Sequence, residues 1–217
     1  MYLRIVYNNE AKAGFRPDWG FAALIETAAG TLLFDTGASA DLLSYNLGRF
    51  GVSRGQIARI VLSHEHHDHT GGLAAVLHHG TVVDVPHSFS RSVKTAIARE
   101  AQLVEITALQ ELLHGIHTTG ELGSGIREQS LVLETRQGVV VVTGCAHPGL
   151  EKILAAAASY GELYGVIGGF HGFAQLELLR PLGLIVPCHC TAQKRAIHAR
   201  YPAQTVQCGA GTVIELL

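Results

Sequence analysis

The sequence predicts an α/β fold in which two sheets face each other with helices outside, built as one domain over residues 1–217. Three observations lead there. Short apolar runs of strand length alternate with amphipathic segments of helical spacing, the pattern of sheets covered by helices. Two passages resemble each other: "FAALIETAAGTLLFDTG" (21–37) and "SLVLETRQGVVVVTG" (130–144) both read apolar strand, Glu-Thr, turn, apolar strand, Thr-Gly. Their strands are apolar throughout rather than alternating, so both faces need cover. With 47% hydrophobic and 16% charged residues the chain can bury a large core, and disorder is not expected.

Taken in order, "LRIVYN", "GFAALIET" and "GTLLFDTG" are strands, and Gly30 lies in the turn between the last two. Residues 39–50 have helical spacing at Leu42, Leu43, Leu47 and Phe50, with Ser39 as N-cap and Gly51 as the stop. "ARIVLS" is a short buried strand; a His-rich loop follows, and "TGGLAAVLHHG" begins another helix. "TVVDVP" is a strand, "SRSVKTAIARE" a helix, and "LVEIT" and "GIHTTGEL" are short extended pieces. The second half reads hairpin ("QSLVLET" to "VVVVTGCAHPG"), helix ("LEKILAAAASYG"), strand ("LYGVIGG") and short helix ("AQLELLRPLG"). It ends with a strand ("LIVPCHC"), a helix ("TAQKRAIHARYP") and a closing strand or hairpin.

Charge and composition exclude several function classes. The net charge is −2, with no basic block or stripe, so no nucleic-acid partner is expected. No run of about 18 apolar residues offers a membrane span, and the N-terminus lacks an apolar secretory core. The four cysteines, Cys145, Cys188, Cys190 and Cys208, do not form the framework of a small secreted domain. They read as reduced thiols in a cytoplasmic protein, with Cys188 and Cys190 facing away from His189 on a strand.

Thirteen histidines are the compositional outlier, and they crowd at "VLSHEHHDHTGG", residues 61–72. His64 and His66, two apart on extended backbone, point the same way. Asp68 and His69 are placed to turn toward a second position. Neutral imidazoles and a carboxylate are ordinary ligands for zinc, iron or manganese. A chance cluster in a surface loop is the competing reading, and its position directly after a buried strand argues against that. Glu65 and His67 point away from such a site.

The run from His64 to His69 followed by "TGGL", with "LLFDTG" upstream, resembles the signature of the metallo-β-lactamase superfamily. "IVLSHEHHDHTGGL", "VVVVTGCAHPGLEKIL", "VIGGFHG" and "PCHCTA" are most similar to the branch of dihydropterin ribofuranosyl-aminobenzene 5′-phosphate synthase. The resemblance implies a four-layer αββα sandwich of two mixed sheets with helices outside. It also implies one or two metal ions: His64, His66 and His147 at the first, Asp68, His69 and His189 at the second. Asp35 is implied to hold a ligating histidine in the correct tautomer. Many members bridge their metals with an aspartate where this chain has Cys145, and no aspartate follows Asp84. Cys145, His171 or solvent stands in, and the second site is expected to be the weaker one.

The chemistry this predicts is hydrolysis of a small ester, thioester, lactone or phosphoester by metal-activated water. Asp68 orients the water and His171 serves as acid or substrate contact; His117 is a weaker candidate. The alternatives are a pterin-type synthase, with Arg127 or Lys194 near the phosphate, and a non-hydrolytic metal-binding or redox protein. The expected partners are a small-molecule substrate and a second copy of the chain, with no nucleic acid and no membrane.

Overall fold

A computed structural model describes residues 1–216. It divides into two units, Met1–Thr107 with Gly209–Leu216, and Ala108–Cys208.

In the first unit, β1 (Tyr2–Tyr7), β2 (Ala22–Thr27), β3 (Gly30–Phe34), β4 (Arg59–Val61), β5 (Val82–Pro86) and β6 (Gln102–Ile106) form a mixed sheet. The C-terminal strand β13 (Val213–Glu215) joins it on the far side of β1, giving the order β13-β1-β2-β3-β4-β5-β6. From β13 to β3 the pairing is antiparallel, and from β3 to β6 it is parallel. Helices α1 (Ala40–Arg49) and α3 (Arg91–Glu100) supply the crossovers, on either side of the one-turn helix α2 (His67–Thr70). Ser39 caps α1 by accepting from the Leu42 N–H, and Ser90 caps α3 from the Val93 N–H. The core of this unit packs Leu43 and Leu47 of α1 and Ile97 of α3 against Val6, Leu24, Leu33, Ile60 and Val83 of the sheet.

The second unit repeats the plan. Strands β7 (Gln110–Leu113), β8 (Ile116–Thr118), β9 (Leu131–Thr135), β10 (Gly138–Thr143), β11 (Leu163–Gly169) and β12 (Leu184–Cys188) run in the order β12-β11-β10-β9-β8-β7. Antiparallel pairing from β7 to β10 gives way to parallel pairing from β10 to β12. Helices α4 (Leu150–Ala157) and α5 (Lys194–Arg200) bury Leu150, Ile153, Leu154 and Ile197 against Val139, Val141, Val166 and Ile185.

The two similar passages are equivalent hairpins, each leading into a parallel ladder. In the first, Thr27 Oγ1 donates to the Gly30 carbonyl (3.2 Å) and accepts from the Ala29 N–H. In the second, Thr135 Oγ1 donates to the Gly138 carbonyl (2.6 Å) and accepts from the Gln137 N–H. Gly30 and Gly138 have φ of 140° and 123°, a backbone that L side chains rarely adopt. The repeated Glu-Thr-x-x-Gly is therefore one turn built twice.

The predicted α/β class of two mixed sheets with helices is what the chain adopts. Three local expectations differ. After "TGG" there is only a single 3₁₀ turn, Leu73–Ala75, in place of a helix. "QELL" is a strand that hydrophobic pattern alone does not mark, because two of its four residues are exposed glutamine and glutamate. The late cysteines do not alternate along a strand: β12 ends at Cys188, and His189 turns into left-handed backbone at φ 44°. Cys188 is bonded to Cys208, so the expectation of four reduced thiols fails for that pair. With it goes the cysteine part of the case for a cytoplasmic location. No helix among the described residues is long and apolar enough to cross a membrane.

Candidate metal centre

The first cluster belongs to the loop after β4. Asp35, just past β3 and fully buried, organises it. Its Oδ1 accepts the Ser63 N–H at 2.7 Å, and its Oδ2 accepts the Ser63 hydroxyl at 2.7 Å. Its Oδ2 is also 2.7 Å from Nδ1 of His69. An ionised carboxylate only accepts, so it takes both the Ser63 hydroxyl proton and an N–H from His69. Having given its proton to Asp35, Ser63 Oγ accepts from Nδ1 of His64, 2.9 Å away. This network assigns both tautomers: His64 and His69 carry their proton at Nδ1, which turns the unprotonated Nε2 of each toward the neighbouring side chains of the loop.

The remaining donor atoms converge. Nε2 of His64 lies 3.0 Å from Nδ1 of His66, and Nε2 of His69 lies 3.8 Å from Oδ2 of Asp68. The His64 ring centroid is 4.6 Å from that of His66 and 4.3 Å from that of His69. Two pairs of ligand-type atoms thus sit side by side. Imidazole and carboxylate groups with lone pairs fixed by outer hydrogen bonds are a donor set that fits a divalent ion of the zinc, iron or manganese kind.

Backbone contacts hold the loop rigid. The His69 carbonyl accepts from both the N–H (2.8 Å) and the hydroxyl (2.9 Å) of Thr36, and the Asp68 carbonyl accepts from the Phe21 N–H at 3.2 Å. Glu65 points away and binds the N–H and hydroxyl of Ser90, at the start of α3. Trp19 adds a contact that motif reading misses: its indole N–H donates to Asp68 Oδ2 at 2.9 Å. The turn that presents Trp19 is anchored by Tyr7, whose hydroxyl donates to Asp18 Oδ2 at 2.6 Å. Burial, reinforced by the Asp18 carboxylate, pushes the Tyr7 phenol far above its ordinary pKa, so it stays a donor. Trp19 is the only tryptophan in the chain. Asp68→Ala in metal-free protein is expected to shift its fluorescence emission, because the indole N–H loses its carboxylate acceptor; unchanged emission would contradict the contact.

Asp35→Asn should retain the side-chain shape but replace one acceptor with a donor. The expected result is a loss of roughly 10–100-fold in metal affinity, the usual effect of removing an outer-shell partner of a ligating histidine. Competition against a chromophoric chelator measures it.

The second cluster is in the other unit, where "TGCAHPG" leaves β10. Glu128, fully buried, supports this loop. Its Oε1 accepts the N–H groups of Gly144, Cys145 and Ala146 at 3.0, 3.0 and 3.1 Å, and its Oε2 accepts the His147 N–H at 3.0 Å. Four successive amides wrapped on one carboxylate form an anion nest. It fixes the backbone of half-buried His147, and Ala146 takes left-handed backbone at φ 58° within it. His189, buried, follows β12 directly. One of its ring nitrogens and the sulfurs of Cys145 and Cys190 all lie within 4.8 Å of one another.

His171 is exposed in a turn with φ 45°, and its ring centroid is 5.2 Å from that of His147. Both line a cavity of about 530 Å³ with Leu150, Glu151, Phe170 and Phe173. His117 instead stacks on Tyr160 and bonds Glu134 at 2.7 Å, away from that cavity. Arg127 bonds Glu121 at 2.9 Å.

The family model of the metallo-beta-lactamase superfamily matches residues 17–189. An uncharacterized protein of Methanocaldococcus jannaschii is 27% identical, the match covering 88% of this chain and 91% of that one. The 7,8-dihydropterin-6-methyl-4-(beta-D-ribofuranosyl)-aminobenzene-5′-phosphate synthase of the same organism is 24% identical over 88% of each chain. Among solved structures, a metal-dependent hydrolase of the beta-lactamase superfamily superposes with a TM-score of 0.83, at 24% identity, covering 100% of this chain and 99% of that one. The family model covers most of the length of this chain, which belongs to the metallo-beta-lactamase superfamily.

Proposed function

We propose that the protein is a metal-dependent hydrolase of small esters, thioesters, lactones or phosphoesters. His64, His66 and His147 hold one divalent ion; Asp68, His69 and His189 hold a second. The reading treats residues 1–217 as one functional domain with zinc as its metal, iron and manganese being alternatives. The observation that carries it is the Asp35–Ser63 network, which holds the Nδ1 atoms of His64 and His69 and sets their Nε2 atoms beside His66 Nδ1 and Asp68 Oδ2. When bound, the metal makes water nucleophilic near neutral pH and polarises the attacked oxygen. The protein groups then have separate tasks. Asp68, held by Trp19, orients the attacking water. His171 delivers a proton to the leaving group from the edge of the cavity, where imidazole chemistry suits neutral pH. Leu150, Phe170 and Phe173 offer the apolar wall of that cavity to the body of the substrate.

No aspartate follows Asp84, so two neighbouring cations would lack a bridging carboxylate and repel with less compensation. The second ion is therefore the weaker one. The similarity to the ribofuranosyl-aminobenzene phosphate synthase supports a second reading, condensation on a phosphorylated substrate.

The test is a panel of ester, thioester, lactone and phosphoester substrates given to metal-free protein and to protein reloaded with zinc, iron or manganese. Turnover that appears on reloading and disappears with a chelator supports the hydrolase. Metal uptake with no hydrolysis of any class, but with a condensation product from an activated 6-hydroxymethyl-dihydropterin and a ribofuranosyl-aminobenzene 5′-phosphate, would transfer the site to the synthase reading.

A further inference from the structure

Strands β10 and β12 are not neighbours; β11 lies between them. Next-nearest strands of a sheet stand roughly 9–10 Å apart, beyond the reach of a disulfide. Yet the residues just past these two strands bring their sulfurs together: the Cys190 thiol donates to Cys145 Sγ, 3.4 Å away. The chain achieves this at Gly169, the last residue of β11. Its N–H donates to the Gly144 carbonyl at 3.0 Å. A Cβ at this position would lie 2.3 Å from that oxygen, 2.8 Å from Cys190 Sγ and 3.3 Å from Cys145 Cα. Only glycine lets the two loops fold over the end of the middle strand and meet.

We propose that Cys145 and Cys190 are a redox pair that closes reversibly to a disulfide, a modification site that ties the "TGCAHPG" loop to the "CHCTA" loop. Both loops are already braced for it. The Cys145 N–H is fixed on Glu128. On the other side Cys188 is bonded to Cys208, Thr191 Oγ1 donates to the Cys188 carbonyl at 2.7 Å, and the Phe170 N–H donates to Thr191 Oγ1 at 2.9 Å. The two sulfurs already stand 3.4 Å apart, so forming the bond brings them closer by roughly 1.4 Å. The two thiols differ in access: Cys145 is 3% exposed, whereas Cys190 is partly open to solvent. An accessible thiol beside a buried resolving thiol is the arrangement of a redox sensor.

The oxidant is a small-molecule disulfide such as oxidised glutathione. Cys190 thiolate attacks one of its sulfurs, forms a mixed disulfide and expels one small thiolate, which takes up the proton lost from Cys190. Cys145 then attacks the Cys190 sulfur, expels the second small thiol with the Cys145 proton and leaves the Cys145–Cys190 bond. Two protein thiols are oxidised and one small disulfide is reduced. Where the metal reading above holds, the bond falls one residue from His189 and two from His147, so redox state also sets the setting of these ligands. Formation of the bond does not depend on that reading.

The experiment exposes the metal-free full-length protein to oxidised glutathione, follows intact mass, then alkylates and maps peptides. The expected wild-type product has lost two hydrogens, carries a cross-linked peptide pair joining Cys145 and Cys190, resists alkylation at both, and reverts with dithiothreitol. Cys145→Ser should stop at one glutathione on Cys190, and Cys190→Ser should leave Cys145 unmodified. Far-UV circular dichroism checks that each variant is folded, and either variant alone carries the prediction. A wild-type protein that keeps a stable glutathione on Cys190, or remains fully alkylatable at both positions, would overturn the proposal.

Discussion

Glu128→Ala is expected to lower the stability of the fold by about 3–5 kcal/mol, because several buried backbone donors lose their acceptor at once. The side chain is fully buried and accepts four backbone N–H groups. Alanine leaves those amides without acceptor in a space that water does not fill well, and each unsatisfied donor costs on the order of 1–3 kcal/mol. The sum of separate costs exceeds the predicted loss because the loop will relax and some amides will find solvent. Glu128→Gln should fall between: one amide oxygen still accepts, while its NH₂ opposes the donors that Oε1 or Oε2 served. Urea unfolding followed by circular dichroism reads the change. A midpoint within experimental scatter of wild type would show that the nest contributes nothing. Because the His147 N–H rests on the same carboxylate, metal affinity should fall together with stability in Glu128→Gln.

His66→Ala is expected to abolish metal uptake at the first position and to reduce turnover by at least about 10³-fold. This follows from several kcal/mol of charge stabilisation lost with the ion, at 1.36 kcal/mol per decade of rate. His66 is exposed, and truncating an exposed side chain costs little stability, so the fold should keep its unfolding midpoint. His64→Ala should be equally inactive but less stable, because His64 is buried and its Nδ1 donates to Ser63. The pair separates chemistry from folding: two inactive proteins, one of them at wild-type stability. Retained turnover in His66→Ala would refute the assignment of this loop.

Much of this architecture was readable from local pattern. The repeated Glu-Thr-x-x-Gly hairpins announce two equivalent sheet halves because the turn chemistry is local: a threonine hydroxyl and a glycine at positive φ. The His-x-His-x-Asp-His run was readable for the same reason, since two-residue spacing on extended backbone already makes His64 and His66 converge. What stayed hidden depends on residues far apart in sequence. Glu128 sits in "SGIREQS", a polar stretch that reads as surface loop, and its role exists only once β10 delivers four amides to it. Trp19 reaches Asp68 across 49 positions. Ser63 was in plain view beside His64, and a hydroxyl next to a ligating histidine is the one local signal that pointed to its part in fixing the tautomer. The Cys188–Cys208 bond is not legible in the sequence because connectivity cannot be read from cysteine spacing, and because β12 ends at Cys188 rather than running through His189. After "TGG" the chain is tied to the "DTG" turn instead of running on as a helix: a Cβ at Gly71 or Gly72 would lie 2.3 or 2.1 Å from the Ala38 or Thr36 carbonyl, and the Gly72 N–H donates to the Gly37 carbonyl at 3.0 Å.

The most direct test of the metal centre is a crystal structure of zinc-loaded protein with anomalous data collected on both sides of the zinc absorption edge. The account predicts one strong peak bound by His64 Nε2, His66 Nδ1 and His147, and a second, weaker peak bound by Asp68, His69 Nε2 and His189. An anomalous peak that avoids these six side chains, or no peak at saturating zinc, would contradict it.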